Sequence, residues 1–148
     1  FGCDRVTFLI STNPGEPLAP LSKIASGGEL SRIMLSLKSV ISDRDGIPTV
    51  IYDEVDTGVS GKTARKVGLK LKNTGRQCQV ICVTHSAQIA SLADQQYLIE
   101  KHESDGRAQT SVRMLDREGR VEEIARILGG ISVTDAQRSA ALDMLEGK

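Results

Sequence analysis

The stretch Thr49-Val50-Ile51-Tyr52-Asp53-Glu54 decides how the rest of the chain is read. A short, continuous apolar run is the pattern of a strand buried on both faces of a parallel sheet. Here it ends in two adjacent acids. Open α/β sheets gather their ligands at the carboxyl ends of such strands. A carboxylate pair in that place suits a magnesium ion with a water or a base beside it. A second stretch, Ala25-Ser26-Gly27-Gly28-Glu29-Leu30, makes sense only beside the first. It is a glycine turn running into a helix, and a helix N-terminus offers free backbone N–H groups and the positive end of the dipole to a phosphate. Together the two point to nucleotide chemistry for which this chain holds half the parts.

Working outward, the 148 residues fit one domain long enough to bury a core. With 39% hydrophobic and 26% charged residues the chain reads as globular, not disordered. Two Phe, two Tyr and no Trp leave the core to Ile, Leu, Val and Ala. Nineteen basic residues balance nineteen acidic ones, so net charge gives no support to nucleic-acid binding. The three cysteines form no Cys-x-x-Cys pair; Cys78 and Cys82 stand at even spacing in an apolar run and read as buried, reduced thiols of a cytosolic protein. No signal peptide is visible, and no apolar run approaches the ~20 residues that span a membrane. The opening at Phe1 suggests a fragment of something longer.

In order, residues 4–11 are rich in β-branched and aromatic residues and predict a strand, and residues 13–20, with three prolines, predict an ordered loop. Leu30, Ile33, Met34, Leu37, Val40 and Ile41 share one helical face, with Ser31, Arg32, Ser36, Lys38 and Ser39 opposite. Ser26 as N-cap and Glu29 three residues later match a capping box, and residues 43–48 end the helix. A turn over residues 55–61 leads to a helix over about 62–73, with Ala64, Val67, Gly68 and Leu71 facing the sheet. Residues 79–84 predict a second buried strand ending at His85, and residues 86–92 a short helix capped by Ser86. This rhythm argues an α/β layered fold with parallel strands. Residues 96–101 and 110–115 predict a hairpin, residues 119–128 a helix stopped by Gly129 and Gly130, and Thr134 with Gln137 a capping box that opens a last helix.

Each chemical feature also has a plainer reading. Asp53 and Glu54 could hold magnesium and polarise an attacking water, or form an acidic turn that caps the next segment. His85 could contact a γ-phosphate, or serve as a loop histidine. Gly61-Lys62-Thr63 imitates the end of a phosphate loop, but Gly-x-x-x-x-Gly-Lys-[Ser/Thr] needs glycine where Asp56 stands, so it is rejected. Lys62, Arg65, Lys66, Lys70, Lys72 and Arg76 form a basic run with no acid between Asp56 and Asp94, which reads as the solvated face of a helix or as a track for a nucleic-acid backbone.

The order of these pieces resembles the C-terminal half of an ABC-type ATPase head. Ser26-Gly27-Gly28-Glu29 resembles the signature motif, Tyr52-Asp53-Glu54 the Walker B strand, Asp56 the D-loop and His85 the switch histidine. Within that superfamily, Asn13-Pro-Gly-Glu-Pro-Leu18, Ala25-Ser-Gly-Gly-Glu-Leu-Ser-Arg32, Tyr52-Asp-Glu-Val-Asp-Thr-Gly-Val-Ser-Gly61 and Val83-Thr-His-Ser-Ala-Gln-Ile-Ala90 look like the RecN family, the SMC-like proteins of bacterial DNA double-strand-break repair and recombination.

The resemblance implies a three-layer α/β, parallel-sheet C-terminal lobe of a P-loop ATPase head, with residues 1–148 as one lobe that ends in a hairpin and two helices. Walker A and the coiled coil would belong to other parts of the protein. It implies ATP and Mg2+ as cofactors, Asp53 serving the metal and Glu54 as catalytic base. His85 would sense the γ-phosphate. Ser26, Gly27, Gly28 and Glu29 would clasp the ATP of an opposite head, and Asp56 would link the two sites. The implied partners are the N-terminal lobe, a second head, DNA through the complete protein, and other recombination proteins. The implied setting is the bacterial cytoplasm, at the nucleoid and not at a membrane. The lobe alone is expected to be inactive. Two alternatives stand beside this reading: a head fragment of another SMC-like protein or a transporter subunit, and a non-catalytic interaction module.

Overall fold

A computed structural model describes residues 2–11, 14–24, 26–41, 46–104, 107–130 and 132–147. The chain opens with a small antiparallel pair, β1 (Leu9–Ile10) and β2 (Ala19–Pro20), in which Leu9 faces Pro20 and Ile10 faces Ala19. A single-turn helix, α1 (Leu21–Ile24), follows and was not expected from the sequence. Of the strand predicted over residues 4–11 only β1 forms. Val6 and Phe8 stay exposed, with no neighbouring strand beside them among the described residues, and an unpaired strand does not hold in water.

The centre is a parallel β-α-β unit. β3 (Thr49–Tyr52) and β4 (Gln79–Cys82) pair in register, Thr49 against Gln79 through Tyr52 against Cys82, and α3 (Gly61–Thr74) makes the crossover. Hydrogen bonds from the Gln79 N–H to the Pro48 carbonyl (2.8 Å) and from the Val83 N–H to the Tyr52 carbonyl (2.9 Å) extend the ladder at both ends. The strands are not buried on both faces. Tyr52 is buried in a core against which Val50, Val80 and Cys82 pack, while Ile51, Ile81 and Val83 are 67%, 44% and 50% exposed. The physical reason is that helices cover one face only.

Helix α2 (Gly27–Ile41) packs on that covered face, and it sits the opposite way round from its amphipathic pattern. Gly28, Leu35 and Lys38 turn inward, whereas Leu30, Met34, Leu37, Val40 and Ile41 are between 42% and 82% exposed. The inward face is selected by polar anchors, because Ser31 and Arg32 both bond to the turn after β3. Leu35, Tyr52, Val55, Val67, Leu71 and Ile89 form the first core. Leu35 and Val55 are completely enclosed, each worth about 1.5–3 kcal/mol of transfer free energy. The end of α2 predicted over residues 43–48 falls partly on residues outside the described set.

The short helix α4 (Ala87–Ala90) joins this core to a second one. Ile89 belongs to the first, and Ala87 packs in the second with Val121, Ile124, Ala125 and Ala141. In chain order α4 is followed by the hairpin of β5 (Tyr97–Ser104) and β6 (Arg107–Met114), whose strands run closer to the turn than expected. α5 (Arg117–Gly129) begins two residues earlier than predicted because Asp116 caps it, accepting from the Gly119 N–H at 2.8 Å. α6 (Asp135–Glu146) has the capping box of Thr134 and Gln137 complete. None of these helices is long and apolar enough to cross a membrane.

Candidate functional site

The glycine turn and the acid pair meet. The backbone turns sharply after β3, where Glu54 has φ of 56°, a left-handed conformation that costs a side-chain-bearing residue about 1–3 kcal/mol unless its surroundings enforce it. They do. The Ser31 hydroxyl donates to the Asp53 carbonyl at 2.8 Å, and the Arg32 guanidinium donates to the Val55 and Thr57 carbonyls at 3.2 and 2.7 Å. The Thr57 N–H closes the turn on the Glu54 carbonyl at 3.0 Å.

The two glycines of α2 permit this approach. A Cβ on Gly28 would stand 2.8 Å from the Glu54 carbonyl oxygen and 2.9 Å from Thr57 Cβ. A Cβ on Gly27 would stand 2.8 Å from Glu54 Oε2, so the Glu54 carboxylate lies at the N-terminus of α2. At that terminus Ser26 and Glu29 bond reciprocally: the Ser26 N–H donates to Glu29 Oε2 at 2.9 Å, and the Glu29 N–H donates to Ser26 Oγ at 3.3 Å. The Ser26 backbone N–H, and then its hydroxyl, hold the Glu29 carboxyl below its ordinary pKa. The predicted capping box is present. With the Glu29 N–H taken by Ser26 Oγ and the Leu30 N–H by the Ser26 carbonyl, the Gly27 and Gly28 N–H groups are the ones left in the first helical turn for an outside acceptor such as a phosphate oxygen.

Asp56 differs from the other acids in being 2% exposed. Its Oδ2 accepts from the Thr84 hydroxyl at 2.6 Å and from the His85 N–H at 2.9 Å, and lies 3.3 Å from His85 Nδ1. Thr84 Oγ1 in turn accepts from the Ser86 N–H at 3.0 Å. The ends of β3 and β4 are thus tied together, with the His85 ring tethered on one side and otherwise 82% exposed. Asp56 Oδ1 is buried with no hydrogen-bond partner among the described residues. Behind this network the Cys82 thiol is pushed up to about 12, first by burial and then by Asp56 and Asp53, so it is an inert core thiol.

Ser26, Gly27, Asp53, Glu54 and His85 are all exposed; Glu54 joins the α2 terminus to the turn after β3, and the buried Asp56 of that turn joins it to His85. A surface cavity lies elsewhere, lined by Asp116, Arg117, Val121 and Leu142. Asp53 is exposed at the end of β3, and no group of three or more His, Cys, Asp or Glu side chains among the described residues could hold a metal ion. One exposed carboxylate fits a magnesium ion whose remaining ligands are water and nucleotide phosphates, which is how that ion is usually held. Sequence reasoning missed Ser31, Arg32 and Thr84. Their signal is faint, because a hydroxyl or guanidinium on a helix shows its partner only after the chain has folded.

No protein-family model matches the chain. Proteins named DNA repair protein RecN do: that of Halalkalibacterium halodurans is 48% identical over 98% of this chain and 26% of its own length. That of Bacillus subtilis is 47% identical over 98% and 25%, and that of Vibrio cholerae 44% identical over 97% and 26%. The chain spans about a quarter of the length of these relatives. Solved structures that share its fold include two SMC proteins. One comes from work on ATP-driven dimerisation and DNA-stimulated activation of SMC ATPases, with a TM-score of 0.53 and 18% identity over 84% of this chain and 81% of that one. The other is the Smc head domain with coiled coil and joint from Pyrococcus yayanosii, with a TM-score of 0.56 and 22% identity over 78% of this chain and 24% of that one. The mixed α/β fold is that of an SMC ATPase head domain, and over nearly its whole length the chain is a homologue of a quarter-length segment of the RecN DNA repair proteins.

Proposed function

We propose that this chain is the C-terminal lobe of the ATPase head of a RecN-type DNA repair protein, acting in the bacterial cytoplasm on double-strand breaks. The observation that carries the reading is the contact of Gly27 and Gly28 with the Asp53–Thr57 turn, because it joins a phosphate-type helix terminus to a carboxylate pair at a strand end. In this reading Glu54 accepts the proton of the attacking water, and His85, steadied by Asp56, faces the γ-phosphate. Asp53 would hold magnesium, which when bound would neutralise charge developing on the phosphates. Ser26, Gly27, Gly28 and Glu29 face the nucleotide of a second head, and the buried Asp56 loop carries the coupling between heads.

The exposure of Ser26, Asp53, Glu54 and His85 supports a partner, since side chains open to solvent cannot exclude water alone. So do the bare face of β3 and β4 and the outward apolar stripe of α2, which suit an N-terminal lobe and its coiled coil. ATP would then drive head dimerisation and couple it to DNA engagement, with other recombination proteins as further partners. In the complete protein, Glu54→Gln is expected to lower the rate of ATP hydrolysis about 10²–10⁴-fold while ATP-dependent dimerisation persists. Parallel measurement of phosphate release and sedimentation tests this; hydrolysis near the wild-type rate would remove Glu54 as the base.

A further inference from the structure

Helix α3 carries a charge arrangement that the nucleotide chemistry leaves unused. Lys62, Arg65, Lys66, Lys70, Lys72 and Arg76 stand in an interval without any acid, from Thr57 to Ala93, although the chain as a whole is neutral. The rest of the molecule therefore carries the matching acidic excess, and the charge is segregated in space. Ala64, Val67, Gly68 and Leu71 turn inward. At 3.6 residues per turn the five cations of α3 occupy the opposite half of the helix, and Arg76 continues the row in the following turn. All are exposed except the half-buried Arg65.

Among the described residues none of the six makes an ion pair or side-chain hydrogen bond, whereas Arg113, Arg117, Arg126 and Arg138 each pair with a carboxylate. Crowding cations without counter-charges on one helix face is unfavourable in isolation. A polyanion placed along it would relieve that repulsion.

We propose that the outward face of α3 binds the phosphate backbone of double-stranded DNA. A helix of 14 residues is about 21 Å long, which matches about six base-pair steps at 3.4 Å each. The chemistry selects this occupant over others. Protein interfaces are depleted in lysine and centred on aromatic or apolar anchors, and Leu69 is the one large apolar side chain exposed on this helix. A membrane-lying helix would need a broad apolar face beneath its cations, but here that face is the core. Single strands call for aromatic stacking platforms, and α3 has no aromatic residue. The inference rests on the DNA side of the proposed function and on none of its nucleotide chemistry.

The test uses the complete protein, a blunt mixed-sequence DNA duplex, and two double variants that remove equal charge. Lys66→Gln with Lys70→Gln is expected to weaken binding equally across unrelated sequences, and to flatten the slope of log K against log salt by about 0.9 for each phosphate no longer neutralised. Lys101→Gln with Arg107→Gln, on the hairpin, is expected to leave that slope unchanged. Equal effects of the two pairs, no effect of the first, or a first-pair loss seen with anionic phospholipid vesicles or single strands and not with duplex overturns the proposal. If the wild-type protein bound no duplex, the DNA side of the function would fail with it. ATP turnover and its loss in Glu54→Gln are read separately and would stand.

Discussion

Arg32 is the residue on which the geometry of the site turns. Its guanidinium reaches two carbonyls of the turn after β3, while Ser31 beside it takes a third. Charge-assisted bonds of this kind are worth about 1.5–3 kcal/mol each, enough to hold Glu54 in its left-handed conformation. Arg32→Gln in the complete protein is expected to lower kcat for ATP about 10- to 100-fold with KM within about twofold, because the carboxylate is misplaced while the nucleotide contacts remain. Arg32→Lys should recover part of the loss. Steady-state kinetics, with thermal melting to confirm folding, checks this; a rise in KM alone would make Arg32 a binding residue instead. Glu54, Asp53 and the glycines are legible in the sequence because they stand in short contiguous motifs. Arg32 and Thr84 are not, since each acts on a residue more than twenty positions away.

At the scale of elements, locally encoded structure is readable and tertiary orientation is not. β3 follows from its apolar run, α3 from its period and α6 from its capping box. For α2 the length is readable but not the inward face, because hydrogen bonds to the turn outweigh the amphipathic pattern. The cap of α2 gives a pH test. The folded pKa of Glu29 lies below its ordinary value of 4.5, so its contribution is present above that value and is lost as pH falls through the lowered one. Glu29→Gln keeps the geometry of a capping box without the charge. Melting temperatures of wild type and variant, followed from neutral pH to below 4.5, are expected to converge on acidification. A constant difference would mean that the Glu29 charge contributes nothing to the cap.

For the whole molecule, the two cores are secure but two apolar surfaces are not covered. Ile51, Ile81 and Val83 line one, and Met34, Leu37, Val40 and Ile41 the other. A strand reading as buried on both faces while showing one to solvent fits a sheet completed by another lobe, which is why the sequence pattern misjudged β3 and β4. The exposed surface of Ser26, Asp53, Glu54 and His85 fits the same proposal, in which the chain supplies half of each site. The measurement that tests this most directly is steady-state ATP hydrolysis by the purified chain, alone and after reconstitution with the N-terminal remainder of a RecN-length protein. The account predicts no turnover by the chain alone and magnesium-dependent turnover by the reconstituted head; measurable hydrolysis by the chain alone would contradict it.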